Sequence, residues 1–176
     1  MKPRVATVWL GGCSGCHMSL LDMDERLIAL AGRMDLVHGP LLDVKEFPDA
    51  VDVTLVEGAV ANEEHLIQIR KVRARTKVLV AFGDCAVSGN VTALRNVLGN
   101  ADGVLTRVYG ERAPGGRVAF DEMVPKLLDR VLPVHQVVDV DLFLPGCPPS
   151  ADLIHFVLSE LLDGRSPDLA GRLRFG

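Results

Sequence analysis

The chain is poor in aromatic residues, which make up only 5% of its 176 residues, while 48% are hydrophobic. Its core is therefore expected to consist of aliphatic side chains and alanine. The sequence also lacks any apolar run near the roughly 18 residues that a membrane-spanning helix needs, so we expect no membrane segment. Its length suits one domain with a substantial core.

An excess of positive charge is also absent. The chain has 19 Lys and Arg against 23 Asp and Glu, a net charge of −4, and no basic stripe. Binding to nucleic acid or to an acidic membrane surface is therefore disfavoured. The apolar run after residues 1–4 is too short for a secretory signal, and no twin-arginine leader is present. We therefore expect a cytoplasmic protein.

What the sequence does contain is an alternation of short apolar runs with amphipathic segments. The runs predict strands at residues 4–10, 35–37, 51–56, 77–82 and 137–144. The amphipathic segments predict helices at residues 15–31, 63–76, 93–97, 121–132 and 151–162, with loops and short helices over 98–120. This order predicts an α/β fold, a flavodoxin-like open parallel sheet with helices on both faces, in which residues 1–176 form a single domain.

Cysteine is scarce, and each of the four cysteines follows the end of a predicted strand. They are Cys13 and Cys16 after the strand at 4–10, Cys85 after that at 77–82, and Cys147 after that at 137–144. The carboxyl ends of parallel strands lie along one edge of an open sheet, where ligands bind. We therefore expect the four cysteines to meet in one crevice, with Glu57, which follows the strand at 51–56, beside them.

Four thiolates in one crevice suit an iron–sulfur cluster, whose properties depend on N–H donors to sulfur and on exclusion of water. The glycines around the cysteines allow backbone amides to approach the sulfurs. Three simpler interpretations compete: four buried structural cysteines, a structural zinc site, or a thioredoxin-like dithiol at Cys13 and Cys16. The dithiol leaves Cys85 and Cys147 unexplained, and one close pair with two single cysteines fits zinc poorly.

Taken together, the motifs resemble the small subunit of nickel–iron hydrogenases over nearly the whole chain. The matching residues are Cys13-Ser14-Gly15-Cys16, Glu57-Gly58, Gly83-Asp84-Cys85 and Pro145-Gly146-Cys147-Pro148-Pro149. The wider superfamily includes the cluster-bearing 20 kDa-type subunit of respiratory complex I. In that relative the first two cysteines are adjacent, whereas here two residues separate them, which favours hydrogenase.

The resemblance implies that Cys13, Cys16, Cys85 and Cys147 ligate one proximal [4Fe–4S] cluster. It also implies that the nickel–iron centre lies in a separate large subunit docked over the crevice. Hydrogen would be split there, and electrons would pass through this chain to the next carrier. The chain would then be a hydrogenase subunit that is not catalytic alone.

Departures from the family pattern indicate a subgroup. Periplasmic and membrane-bound relatives carry a leader and a C-terminal domain with further clusters, and usually a glutamate at the place of Met18. Residues 16–25 look like the soluble, bidirectional NAD-reducing hydrogenases, whose diaphorase subunits carry flavin and iron–sulfur clusters. The alternatives are the small subunit of an F420-non-reducing hydrogenase, a quinone-reductase cluster subunit related to complex I, and a zinc-stabilised interaction module without a redox role.

Several polar residues outside the cysteines are candidate site residues. Glu57 is interpreted either as a proton-transfer or interface residue, or as a carboxylate bonded to nearby amides. We expect His17 to be a first-turn or interface histidine, His65 to be solvated and His155 to pack on a helix face. Flavin mononucleotide in this chain is not supported by its residues, because the loop after the first strand lacks a run of Ser or Thr donors for a phosphate.

Overall fold

A five-stranded parallel sheet forms the centre of the structure, a computed structural model that describes residues 1–110 and 124–175. The strands are β1 (Arg4–Trp9), β2 (Asp35–His38), β3 (Val51–Glu57), β4 (Val60–Asn62), β5 (Thr76–Phe82), β6 (Leu127–Leu132) and β7 (Leu142–Leu144). The sheet has the order β2-β1-β3-β5-β7, and β4 pairs with β6 in a separate antiparallel ribbon. The parallel α/β prediction is confirmed.

Helices connect these strands. They are α1 (Gly15–Leu21), α2 (Glu25–Ala31), α3 (Glu63–Arg75), α4 (Asp84–Ser88), α5 (Asn90–Ala93), α6 (Ala101–Leu105) and α7 (Ala151–Leu162). Asn62 caps α3 by accepting the N–H of His65 at 2.8 Å, and Ser150 caps α7 by accepting that of Leu153 at 3.3 Å. Among the described residues, no helix combines the length and apolarity that crossing a membrane requires.

The sheet separates two apolar clusters, one on each face. Alternate strand residues point to opposite faces, so Leu55 packs with Ile154 of α7 and with residues of α1 and α2. Its neighbour Val56 packs instead with Ile69 of α3 and with residues of α4. Both clusters are almost entirely aliphatic, as the low aromatic content predicts, and helices cover both faces.

The structure contradicts two of the predicted elements: one predicted helix is a strand in its described part, and one predicted strand is shorter than expected. The helix predicted over 121–132 is a strand in its described part, because residues 127–132 pair with β4, with Val60 opposite Leu132. Residues 121–123 lie outside the described part. The strand predicted over 137–144 is reduced to β7, and a 3-10 turn at Val134–Gln136 precedes it. In both places tertiary pairing, which the local pattern does not encode, decides the backbone.

Two other helices differ in their boundaries. The helix predicted over 15–31 is split into α1 and α2, and the break lies at Asp24, which has a positive φ of 50°. The helix predicted over 93–97 is a 3-10 segment at Leu94–Leu98 that continues α5. Within 98–120, the described residues form α6 and a π-helical turn at Thr106–Gly110, and residues 111–120 lie outside the described part.

Candidate metal centre

The first two cysteines lie in the connection from β1 to α1. This connection runs along the end of β3, where Leu10 N donates to Glu57 O at 2.8 Å. The backbones of Gly11 and Ala59 then exchange two hydrogen bonds. Gly11 N donates to Ala59 O at 2.9 Å, and Ala59 N donates to Gly11 O at 2.7 Å. Cys13 precedes α1 and is exposed, whereas Cys16 lies in its first turn and is buried. The loop is therefore held against the sheet before it reaches the thiols.

The other two cysteines follow β5 and β7, which are neighbours in the sheet. Cys85 is buried in the first turn of α4, and Cys147 is exposed after the end of β7. Asp84 joins their loops: its N–H donates to Gly146 O at 2.9 Å, and its carboxylate accepts the Gly146 N–H at 2.6 Å. Asp84 is itself only 5% exposed. The two loops are thus fixed to each other by a buried carboxylate.

The four thiols come close enough together to influence one another electrostatically. Burial raises the pKa of Cys16 strongly, and negative charge on Glu57 and on the three other cysteines raises it further. Burial likewise raises the pKa of Cys85. A hydrogen bond with Thr92 lowers this pKa and offsets part of the effect, whereas the charges of Cys13 and Cys147 raise it further. Four thiolates at this place are therefore unfavourable unless a cation binds them.

The surroundings supply hydrogen-bond donors to the sulfurs. Gly15 N approaches Cys13 Sγ at 3.4 Å, and Asn90 Nδ2 approaches Cys147 Sγ at 3.5 Å. Thr92 is a hydrogen-bond partner of Cys85. In the part of the chain that the structure describes, no three His, Cys, Asp or Glu side chains gather around a single metal ion. In an iron–sulfur cluster each cysteine binds its own iron, so separated thiolates with N–H donors fit such a group.

Glu57 and His17 form a buried pair beside the cysteines. The Glu57 carboxylate accepts the backbone N–H of His17 at 3.0 Å and also pairs with His17 Nδ1. Both residues are nearly inaccessible, at 1% and 6% exposure. The interpretation of Glu57 as a carboxylate bonded to a helix-start amide therefore has direct geometric support. Its role in proton transfer or at an interface stays a prediction.

His65 and His155 lie on helices, in α3 and α7. His65 is half-buried rather than solvated, because its Nδ1 accepts the Ala61 N–H at 3.2 Å, and burial lowers its pKa. The expectation of a solvated side chain is therefore wrong. His155 is half-buried on α7, as expected. Sequence reasoning missed Asn90, which contacts a cysteine through a backbone turn of φ 33° that no local pattern indicates.

Comparison with known proteins gives close relatives of known type. The "NAD-reducing hydrogenase HoxS subunit delta" of Cupriavidus necator is 41% identical over 173 residues, covering 96% of this chain and 82% of that protein. A subunit of the vhu F420-non-reducing hydrogenase of Methanococcus voltae is also 41% identical, over 98% of this chain. This chain spans only 60% of the length of that second relative.

Solved structures agree with these sequence matches. An NAD+-reducing [NiFe]-hydrogenase in the H2-reduced state contains a chain that is 42% identical, with a TM-score of 0.94 and complete coverage of both chains. A Ni-Fe-Se hydrogenase from Desulfomicrobium baculatum is 20% identical with a TM-score of 0.57, which shows a shared fold. The family model of the NADH ubiquinone oxidoreductase 20 kDa subunit matches residues 13–161. The chain therefore belongs to this family, which includes the small subunits of [NiFe]-hydrogenases.

Proposed function

We propose that this chain is the electron-transfer small subunit of a cytoplasmic NAD-reducing [NiFe]-hydrogenase. In this role it carries electrons from the hydrogen-splitting Ni–Fe site of a large subunit toward a diaphorase module. The chain forms one domain, residues 1–176, which holds one proximal [4Fe–4S] cluster through Cys13, Cys16, Cys85 and Cys147. The relatives support the hydrogenase assignment, since both a subunit and a solved structure of that type match over almost the whole chain.

The observation that carries the proposal is the approach of four thiols from three separate loops. Gly83, two residues before Cys85, lies against the Cys16 sulfur and near the carbonyl of Gly146, the neighbour of Cys147. Each of the other three cysteines is also close enough to Cys16 to raise the pKa of its thiol. A bound cluster supplies one-electron chemistry at this position. The chain's part is to keep the four sulfurs deprotonated, fixed in place and hydrogen-bonded, and to hold water away from the two buried ones.

The loop after β7 contributes rigidity and exclusion of water. Pro145, Gly146 and Pro149 are buried, and Pro149 O accepts the hydroxyl of Ser19 from α1 at 2.6 Å. This bond joins the Cys147 loop to the helix that carries Cys16. A site whose walls are tied together in this way changes little in geometry when its charge changes, which suits electron transfer.

Exposed apolar side chains around the cysteines support a docked partner. Trp9 at the end of β1 is 45% exposed, and Met18 in α1 is 57% exposed. Val91 and Leu94, in the segment that supplies Asn90, are also exposed. Exposed apolar groups clustered near one site are typical of an interface. We assign this surface to the hydrogenase large subunit, with diaphorase subunits carrying flavin and iron–sulfur clusters further along the path.

An F420-non-reducing hydrogenase small subunit is the second candidate, because the Methanococcus voltae relative has the same identity as the Cupriavidus necator one. Coverage favours the NAD-reducing type, since this chain spans 82% of the HoxS relative and the full length of the matching solved chain. The two candidates share the cluster site and differ in the electron acceptor. The proposal includes no flavin bound to this chain.

Hydrogen-dependent reduction of NAD+ by the anaerobically co-purified complex tests the proposal. The native complex is expected to reduce NAD+ with hydrogen, and Cys147→Ser is expected to abolish this activity together with the cluster spectrum. Ala29→Ser, an exposed serine substitution in α2, serves as the control and is expected to retain both. Hydrogen oxidation with a viologen dye but not with NAD+ would favour the second candidate, and quinone reduction without hydrogen oxidation would refute both.

A further inference from the structure

A cleft with a volume of about 460 Å³ lies against the loop that carries Cys147. One wall comes from this loop, which contributes Pro145, Pro148 and Pro149, and from the start of α7. The remaining wall comes from the segment 171–174. The Cys147 side chain is exposed and directly precedes Pro148 in the sequence. The cleft therefore borders the loop of an exposed thiol of the metal centre.

Unpaired positive charge lines this cleft, although the whole chain has a net charge of −4. Arg172 and Arg174 are both exposed, and neither forms an ion pair with another described residue. The Arg172 guanidinium lies over the ring of Phe156, 4.2 Å from its centroid, which restrains the side chain without neutralising its charge. Asp152 also lines the cleft, but its carboxylate is paired with Arg26 at 2.6 Å. The cleft is therefore basic.

An electron that reaches the four-thiol site must leave it for a group on another subunit. All four cysteines of the chain belong to the proposed site, so none is left to hold a second iron–sulfur cluster. Electron transfer slows steeply with distance, so the accepting group must dock near the site. The exposed apolar surface around Trp9 and Met18 is already assigned to the large subunit. The basic cleft is a second surface beside the site, and it differs from the first in chemical character.

We propose that the electron-accepting partner docks in this cleft through a patch of Asp and Glu side chains. The identity of the acceptor as a diaphorase subunit rests on the proposed function, whereas the sign of its contact surface rests on the arginines alone. Guanidinium groups pair with carboxylates through two parallel hydrogen bonds, which orient the partner as well as attract it. In the docked complex one electron passes from the four-cysteine site to the flavin or iron–sulfur group of the acceptor. The site is oxidised and the acceptor is reduced, and no bond is made or broken.

Electrostatic docking suits this step better than an apolar contact does. Complementary charges speed association and fix the orientation of the partners, and electron-transfer partners commonly bury small interfaces. A free anion is a poorer occupant, because both arginines are exposed and water would screen their attraction to it. A carboxylate-rich protein surface contacts Arg172 and Arg174 at once and excludes water from both.

Charge reversal at Arg174 tests the inference, with Arg174→Lys as the charge-conserving variant and Arg70→Glu as the control. Arg70 is exposed on α3, which packs on the opposite face of the sheet from α7. The photoreduced full chain is mixed by stopped flow with anthraquinone-2,6-disulfonate, a dianion, or with hexaammineruthenium(III), a trication. In about 0.01 M salt, where screening is weak, Arg174→Glu is expected to slow oxidation by the dianion about fivefold and to speed oxidation by the trication. Both effects should vanish near about 1 M salt, and the other two variants should match the native chain.

The anaerobically co-purified complex supplies a measurement of binding. Arg174→Glu is expected to lower the salt concentration at which the acceptor subunits separate from the small subunit in size-exclusion chromatography, with iron content and retention of the large subunit unchanged. An equal response to both acceptors, an equal response of Arg174→Glu and Arg70→Glu, or undiminished retention of the acceptor subunits would overturn the inference. Failure of the native complex to reduce NAD+ with hydrogen would instead refute the proposed function, and the charge dependence of the stopped-flow rates would still decide the inference.

Discussion

Gly83 and Cys16 approach so closely that a methyl group at position 83 would lie 2.1 Å from the Cys16 sulfur. Gly83 directly follows β5 and has a positive φ of 83°, whereas Cys16 lies in the first turn of α1. Contact between a backbone carbon and a sulfur from distant parts of the sequence requires glycine at this position. The crevice therefore depends on the absence of a side chain as well as on the cysteines.

Gly83→Ala is expected to eliminate cluster binding, because the new methyl group must displace the Cys16 sulfur. Gly99→Ala is the matched control: Gly99 has a similar φ of 93°, but a Cβ there meets nothing within 4 Å. Both variants carry the backbone strain, of order 1–3 kcal/mol, and only Gly83→Ala carries the clash. Iron content of the anaerobically purified chains is the measurement. Equal iron loss in both variants would show that strain alone is responsible.

Asp84→Ala is expected to lower the free energy of unfolding by about 2 kcal/mol, because it leaves a buried N–H of Gly146 without its charged acceptor. It should also lower iron content, since Asp84 joins the Cys85 and Cys147 loops. Denaturant unfolding and metal analysis of the full chain measure both effects. Asp43→Ala, at an exposed position, is the control. Normal iron content in Asp84→Ala would contradict the positioning role.

Asn90→Gly is expected to shift the midpoint potential of the site to more negative values. The substitution tolerates the positive φ of 33° at this position and removes the N–H donor to Cys147 Sγ. Donors to the sulfurs stabilise the reduced, more negative state. Redox titration followed by electron paramagnetic resonance measures the shift. Val91→Ala, which trims the exposed neighbouring side chain, should leave the potential unchanged. An unchanged potential in Asn90→Gly would refute this role.

Asp52→Asn is expected to lower stability at pH 7 by no more than about 1 kcal/mol, because the pair with Lys77 is partly screened by solvent. The Arg4 N–H, which donates at 2.8 Å, and Lys77 lower the pKa of Asp52 below its ordinary value of 3.8. The ionised Asp52 carboxylate therefore stabilises the native state above pH 3.8. This contribution to the free energy of unfolding declines as the pH falls toward the native pKa. Urea unfolding of both proteins between about pH 7 and pH 3 should show curves that converge in acid. A constant difference across this range would contradict the assignment.

The fold was predictable where local pattern and tertiary structure agree. The strand at 51–56 is nearly continuous in apolar residues, and such runs form buried central strands. The Asn62 and Ser150 caps were predictable from residue type, because a short oxygen-bearing side chain before a helix satisfies an amide there. The segment 127–132 was not predictable, because its strand conformation depends on pairing with β4, a contact that its own sequence does not specify.

The convergence of the cysteines was predictable from the sequence, and the contacts that support their loops were not. Each cysteine follows a strand, and the common edge of a parallel sheet brings those positions together. The bonds of Asp84 to Gly146 and of Asn90 to Cys147 connect residues 62 and 57 positions apart. The pairing of His17 with Glu57 likewise joins α1 to the end of β3. Such contacts depend on how the loops pack, which the sequence pattern does not record.

The most direct test of the central claim is iron and acid-labile sulfide analysis of the anaerobically purified full chain and of its four single Cys→Ser variants. We expect about four irons and about four sulfides per native chain, as a [4Fe–4S] cluster requires. We also expect a marked loss of both in the variants of Cys13, Cys16, Cys85 and Cys147. Zinc without iron or sulfide in the native chain, or full iron content in any of the four variants, would contradict it.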